Sequence, residues 1–108
     1  MALFRFPWTM VVDGDSMFPT LHHGDFLFIA PICLFRPGSR YGSGCRVGNI
    51  VVARHQKFGL IVKRVADVTQ EGVILEGDNV EASTTAENIG LVPFSAVVGR
   101  GIKVISNR

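Results

Sequence analysis

The 108-residue chain predicts a small all-β fold built from short, mostly antiparallel strands. Two observations carry that prediction. The apolar residues fall in short runs rich in β-branched and aromatic side chains, of strand length and bounded by turn-forming residues. The three-and-four spacing that marks an amphipathic helix is poor throughout. One domain spanning residues 1–108 is expected, with no internal repeat and no low-complexity tract.

The elements follow in order. Residues Met1 to Val12 are apolar but carry Arg5 and Pro7, and read as a packing arm leading into a strand at Thr9–Val12. Asp13-Gly14-Asp15-Ser16 makes a polar turn, in which Asp13 and Asp15 suit the bend before the serine. A one-turn helical piece is expected near Pro19 and a strand over Asp25–Ala30. Pro31 to Gly48, with Pro37-Gly38-Ser39, Gly42-Ser43-Gly44 and three arginines at 36, 40 and 46, reads as an exposed loop. Strands are predicted at Ile50–His55, Leu60–Thr69 and Gly72–Glu76, the last two joined by a hairpin turn at Gln70-Glu71-Gly72. A second one-turn piece near Pro93 precedes a closing strand over Val97–Ile105.

Composition removes several function classes. A net charge of +2, with basic residues scattered and not interleaved with aromatics, gives no basis for a nucleic-acid partner. No run approaches the roughly 18 apolar residues that span a bilayer. The N-terminal stretch lacks a small-residue cleavage site and does not read as a secretory signal, so the expected compartment is the cytoplasm. Membrane contact through Phe4, Phe6 and Trp8 is the weaker alternative. Without an export signal, Cys33 and Cys45 are expected as free thiols. They do not form a four-ligand zinc pattern. His22-His23 lacks a third ligand, and Asp13, Asp15 and Asp25 lack the spacing of a calcium loop. No metal or cofactor is therefore expected.

The positive signal is a serine and a lysine. Ser16 sits on a short polar turn that leads through Met17 and Pro19 back to apolar residues, a way to hold a hydroxyl at a sheet edge. A serine needs a base before it attacks. Lys63 interrupts the apolar run Leu60 to Ala66. Alternation along a strand puts Ile61, Lys63 and Val65 on one face and Val62, Arg64 and Ala66 on the other. Arg64 is then expected to project to solvent while Lys63 points among apolar neighbours. Burial disfavours the ammonium and lowers its pKa from the ordinary value of about 10.4. A neutral amine can take the serine proton, and Ser-Lys is a known variant of triad logic.

The wording of five segments, in order, resembles the type I signal peptidases. Ser16-Met17-Phe18-Pro19-Thr20-Leu21 is similar to the nucleophile box, and Gly24-Asp25-Phe26-Leu27 to the strand after it. Val47-Gly48-Asn49-Ile50-Val51-Val52 is similar to the Gly-Asp-Ile-Val strand, with Asn49 in place of Asp. Lys63-Arg64-Val65 resembles the general-base box, and Gly77-Asp78-Asn79 with Ser83 the C-terminal box. The resemblance runs from about Val11 to Val104 and implies a small signal-peptidase-like catalytic core. It implies Ser16 as nucleophile, Lys63 as general base and Ser83 as the residue orienting the lysine. It implies the Ser16 N–H as oxyanion donor. A second donor in some members is a serine hydroxyl, which the Gly14 position lacks, leaving a backbone group or water. Met17 and Asp15 are expected beside the substrate.

Two departures stand out. Val80 follows Gly-Asp-Asn where the family often has Arg, and Thr85-Ala86-Glu87 replaces an Asp-Ser-Arg run. The box is therefore expected to lack a supporting Asp–Arg pair. The length, Ala53-Arg54-His55, the lysine box, the Ser-Thr run after Gly-Asp-Asn and Gly90-Leu91-Val92-Pro93 resemble the small maturation proteases of nickel-type superoxide dismutase. That resemblance implies a precursor protein as partner, trimmed at its N-terminus. A protease acting on signal peptides, a self-cleaving repressor-like domain and a non-catalytic peptide-binding β-domain are the alternatives.

Overall fold

A computed structural model of the chain describes residues 2–5, through the backbone, and residues 9–30, 45–79, 81 and 89–106. Eight strands form one sheet: β1 (Ala2–Arg5), β2 (Thr9–Val12), β3 (Phe26–Ala30), β4 (Ile50–His55), β5 (Gly59–Val68), β6 (Gly72–Glu76), β7 (Leu91–Pro93) and β8 (Val97–Ile105). Their order across the sheet is β1-β2-β3-β8-β4-β5-β6-β7, and every pairing is antiparallel. The all-β expectation holds. A 3-10 turn at Phe94–Ala96 stands where a one-turn piece was expected. Among the described residues no helix is long and apolar enough to cross a membrane.

Four strands match their predicted limits; the strand around Phe26 starts one residue later than expected, and the one around Lys63 is shifted by one residue at both ends. The N-terminal arm contains a strand of its own, β1, paired to β2 with Ala2 opposite Val12. The expected hairpin between β5 and β6 is present: Thr69 N–H donates to the Gly72 carbonyl at 2.8 Å, and the Thr69 hydroxyl accepts from Gly72 N–H. β7 went unpredicted because three residues ending in Pro93 carry almost no strand signal. Its pairing with β6 makes it a strand. Of the predicted loop, 31–44 lies outside the described residues, Cys45 is buried, and Arg46 to Gly48 form an exposed turn. Cys33 lies outside them too.

The sheet curls, bringing β1 against β5. Apolar side chains are therefore buried on both of its faces. One cluster gathers Val51, Ala53, Ile61, Val65, Val73, Leu75, Val92, Phe94 and Val97. The other gathers Met10, Val12, Met17, Leu21, Leu27, Ile29, Val52 and Val62. Strands β4 and β5 supply alternate residues to the two clusters, as the period of two requires. Burying both faces explains why these strands read as near-continuous apolar runs, not as an alternation of apolar and polar.

Candidate active site

Ser16 stands on the turn that leaves β2. Gly14 adopts φ +89°, a left-handed backbone that a side chain disfavours, and lets the chain bend directly after the strand. Phe18 N–H then donates to the Asp15 carbonyl at 3.1 Å and Leu21 N–H to the Met17 carbonyl at 2.9 Å. These bonds make a turn, not the helical piece expected near Pro19, and the Phe18–Pro19 peptide within it is cis. Met17 and Leu21 point into the second cluster, 1% and 0% exposed, and anchor the turn. Just before the first anchor Ser16 is half-buried, while Asp13, Gly14 and Asp15 are exposed.

Lys63 lies in β5 opposite Val51 and is 5% exposed. Among the described residues no ion pair is made to it. Burial alone lowers its pKa from the ordinary lysine value, because the ammonium loses hydration there. Ser16 and Lys63 line the same cleft of about 260 Å³. Its walls are the segment from Val12 to Met17 on one side and Phe58, Ile61, Val62 and Lys63 on the other, with Ile89. Asp15 and Met17 are thus at the cleft, and Met17 is both a core residue and part of its wall. Ser83 lies outside the described residues.

Arg64 departs from expectation. It does not simply project to solvent. Its Nε donates to Asp78 Oδ1 at 2.8 Å, its Nη2 to Asp78 Oδ2 at 2.6 Å and its Nη1 to the Gly48 carbonyl at 2.7 Å. The Thr20 hydroxyl donates to Asp78 Oδ2 at 2.5 Å. The hydrogen bonds from Arg64 hold the Asp78 carboxyl below its ordinary pKa, and the same bonds raise that of Arg64. The Gly-Asp-Asn box therefore does have an Asp–Arg support. It comes from the residue beside Lys63, not from a downstream run. Strand alternation alone could not find it, because the partner lies across a hairpin.

Asn79 fastens the same box to the serine turn. Its N–H donates to the Ser16 carbonyl at 2.9 Å and its Nδ2 to the Asp15 carbonyl at 3.0 Å. Asp78 and Asn79 were legible as a turn; their grip on Ser16 was not. His23 Nδ1 accepts from Gly14 N–H at 2.9 Å and lies 3.3 Å from Asp13 Oδ1. Gly14 would have to exchange that bond before its N–H could meet an oxyanion. His22 N–H donates to the buried Asp25 at 3.0 Å, which ties the turn to the start of β3. Among the described residues no three metal-ligating side chains cluster.

The curated proteins gave no match to this chain, and neither did the solved structures. The model of the Peptidase S24-like family matches residues 8–89, a stretch that contains Ser16, Lys63 and Ser83. With most of its length matched in this way, the protein belongs to the Peptidase S24-like family.

Proposed function

We propose that the chain is a Ser-Lys endopeptidase that removes an N-terminal propeptide from a cytoplasmic precursor, nickel-type superoxide dismutase. The observation that carries this reading is that a buried lysine, with its pKa lowered, lines the same cleft as a turn-borne serine. Membership of a peptidase family supports the reaction class. The sequence likeness to the nickel enzyme's maturation proteases supports the substrate.

Neutral Lys63 takes the Ser16 Oγ proton as that oxygen attacks the scissile carbonyl. The Ser16 N–H receives the developing oxyanion, a contribution on the order of 3 kcal/mol. The lysine proton passes to the leaving amine as the C–N bond breaks. Water, deprotonated by Lys63, then releases the acyl group and restores the serine. Ser83 orients the lysine. The substrate lies extended beside Ser16, with Met17 and Asp15 against the residues before the cut. Cutting frees an α-amine, which a metal can ligate only once the extension is gone.

The test is incubation of the protein with a nickel superoxide dismutase precursor, with Ser16→Ala and Lys63→Ala in parallel and product N-termini read by mass spectrometry. Cleavage at one bond, lost in both variants, is the expected result. Ser16-dependent cleavage of an Ala-x-Ala signal sequence instead replaces the substrate. No cleavage of either leaves a peptide-binding β-domain.

A further inference from the structure

We infer that Asn79 is a positioning residue that aims the Ser16 N–H at the oxyanion. This rests on the reading of Ser16 as the nucleophile. The argument starts from one peptide plane. In a trans peptide the carbonyl of one residue and the N–H of the next point in opposite directions. The Asp15 carbonyl and the Ser16 N–H belong to the same plane, so fixing the first aims the second.

The Asp15 carbonyl is held twice, by Phe18 N–H at 3.1 Å from within the turn and by Asn79 Nδ2 at 3.0 Å from across the fold. The Asn79 N–H holds the next plane through the Ser16 carbonyl at 2.9 Å. Asn79 Oδ1 accepts from Glu81 N–H at 3.3 Å, which settles that the amide nitrogen is the end facing Asp15. Donation to a carbonyl also polarises its amide and strengthens the N–H on the other side. The preceding residue, Asp78, is bound to Arg64, the neighbour of Lys63. One tripeptide thus references the nucleophile's backbone to the strand that carries the base.

Asn79→Asp keeps the shape and the backbone bond to Ser16 but replaces the amide donor with a carboxylate that repels the Asp15 carbonyl. The experiment uses the full chain and two probes. Turnover of p-nitrophenyl acetate reads the chemistry. The Ser16 amide proton, followed by NMR on adding phenylboronic acid, reads the donor directly, because a tetrahedral adduct on Oγ places an oxygen at that N–H. NMR reads the folded population, so lost stability does not imitate the result. The expected outcome for Asn79→Asp is a fall in kcat of about tenfold or more with KM little changed. That is less than the roughly 100- to 1000-fold loss when a donor is removed outright. The downfield shift of the Ser16 amide, clear in the wild type, should shrink with it. An unchanged kcat and an unchanged shift in Asn79→Asp, beside a Ser16-dependent wild type, overturn the positioning role alone. Wild-type turnover equal to that of Ser16→Ala overturns the nucleophile reading, and the positioning role falls with it.

Discussion

Replacing Asp78 with alanine should loosen the fold and the site together. The carboxylate accepts two hydrogen bonds from Arg64 and one from Thr20, and the two charged side chains are 31% and 17% exposed. A fully exposed pair contributes about 0.2–1 kcal/mol. Breaking a fully buried pair costs about 3–5 kcal/mol, because one charge is left without its partner. Arg64 retains the Gly48 carbonyl and reaches water, so this pair falls between those limits, at about 2 kcal/mol. For a domain of this size that lowers Tm by about 8–16 °C. The acid side of the stability profile carries a second signature. Asp78 is held below its ordinary pKa first by the hydrogen bonds from Arg64. Its contribution is therefore present above the ordinary carboxylate pKa and is lost as pH falls through the lower, folded value. Thermal melts of wild type, Asp78→Ala, Arg64→Met and the double variant, at neutral pH and in acid, measure both effects. A drop of less than about 2 °C, or single-variant losses that simply add, would refute the argument that this pair fastens the Gly-Asp-Asn box.

Two further changes probe the base and the sheet edge. Lys63→Met should abolish Ser16-dependent hydrolysis and raise Tm at neutral pH. Wild type should lose stability as pH falls from about 10.5 toward the folded pKa, because only the unfolded lysine gains a proton in that window. The advantage of the methionine variant should therefore shrink toward pH 10.5, and a constant difference between the two melting curves across that range would sink the idea that Lys63 is destabilised by burial. Gly72→Ala should destabilise by about 1–3 kcal/mol, because its Cβ would meet the Val92 carbonyl carbon at 2.8 Å and Pro93 Cα at 2.9 Å across the β6–β7 pair. Amide exchange at Val73 and Val92 should accelerate first; unchanged exchange there would place the loss elsewhere.

Most strands were legible because β-branched runs bounded by turns say where a strand starts and stops. The 3-10 turn at Phe94 was legible from Pro93. What escaped was whatever depends on a distant partner. β7 is a strand only because β6 pairs with it. Arg64 alternates away from Ile61 and Val65 as a period of two demands, but whether that direction leads to water or to Asp78 is decided by the hairpin that follows. Asn79 read as a turn residue, and its two bonds to the serine turn cross more than sixty residues of chain.

Local chemistry, by itself, determined six of the eight strands, the bend at Gly14, the serine at its edge and a lysine among apolar neighbours. It could not determine that the serine and lysine share a cleft. Ser16 follows β2 and Lys63 lies in β5, with β3, β8 and β4 between them in the sheet. In a flat sheet, neighbouring strands lie about 4.8 Å apart, so such a pair would stand well beyond reach. Only the curl that brings β1 against β5, stabilised by apolar burial on both faces, closes that distance.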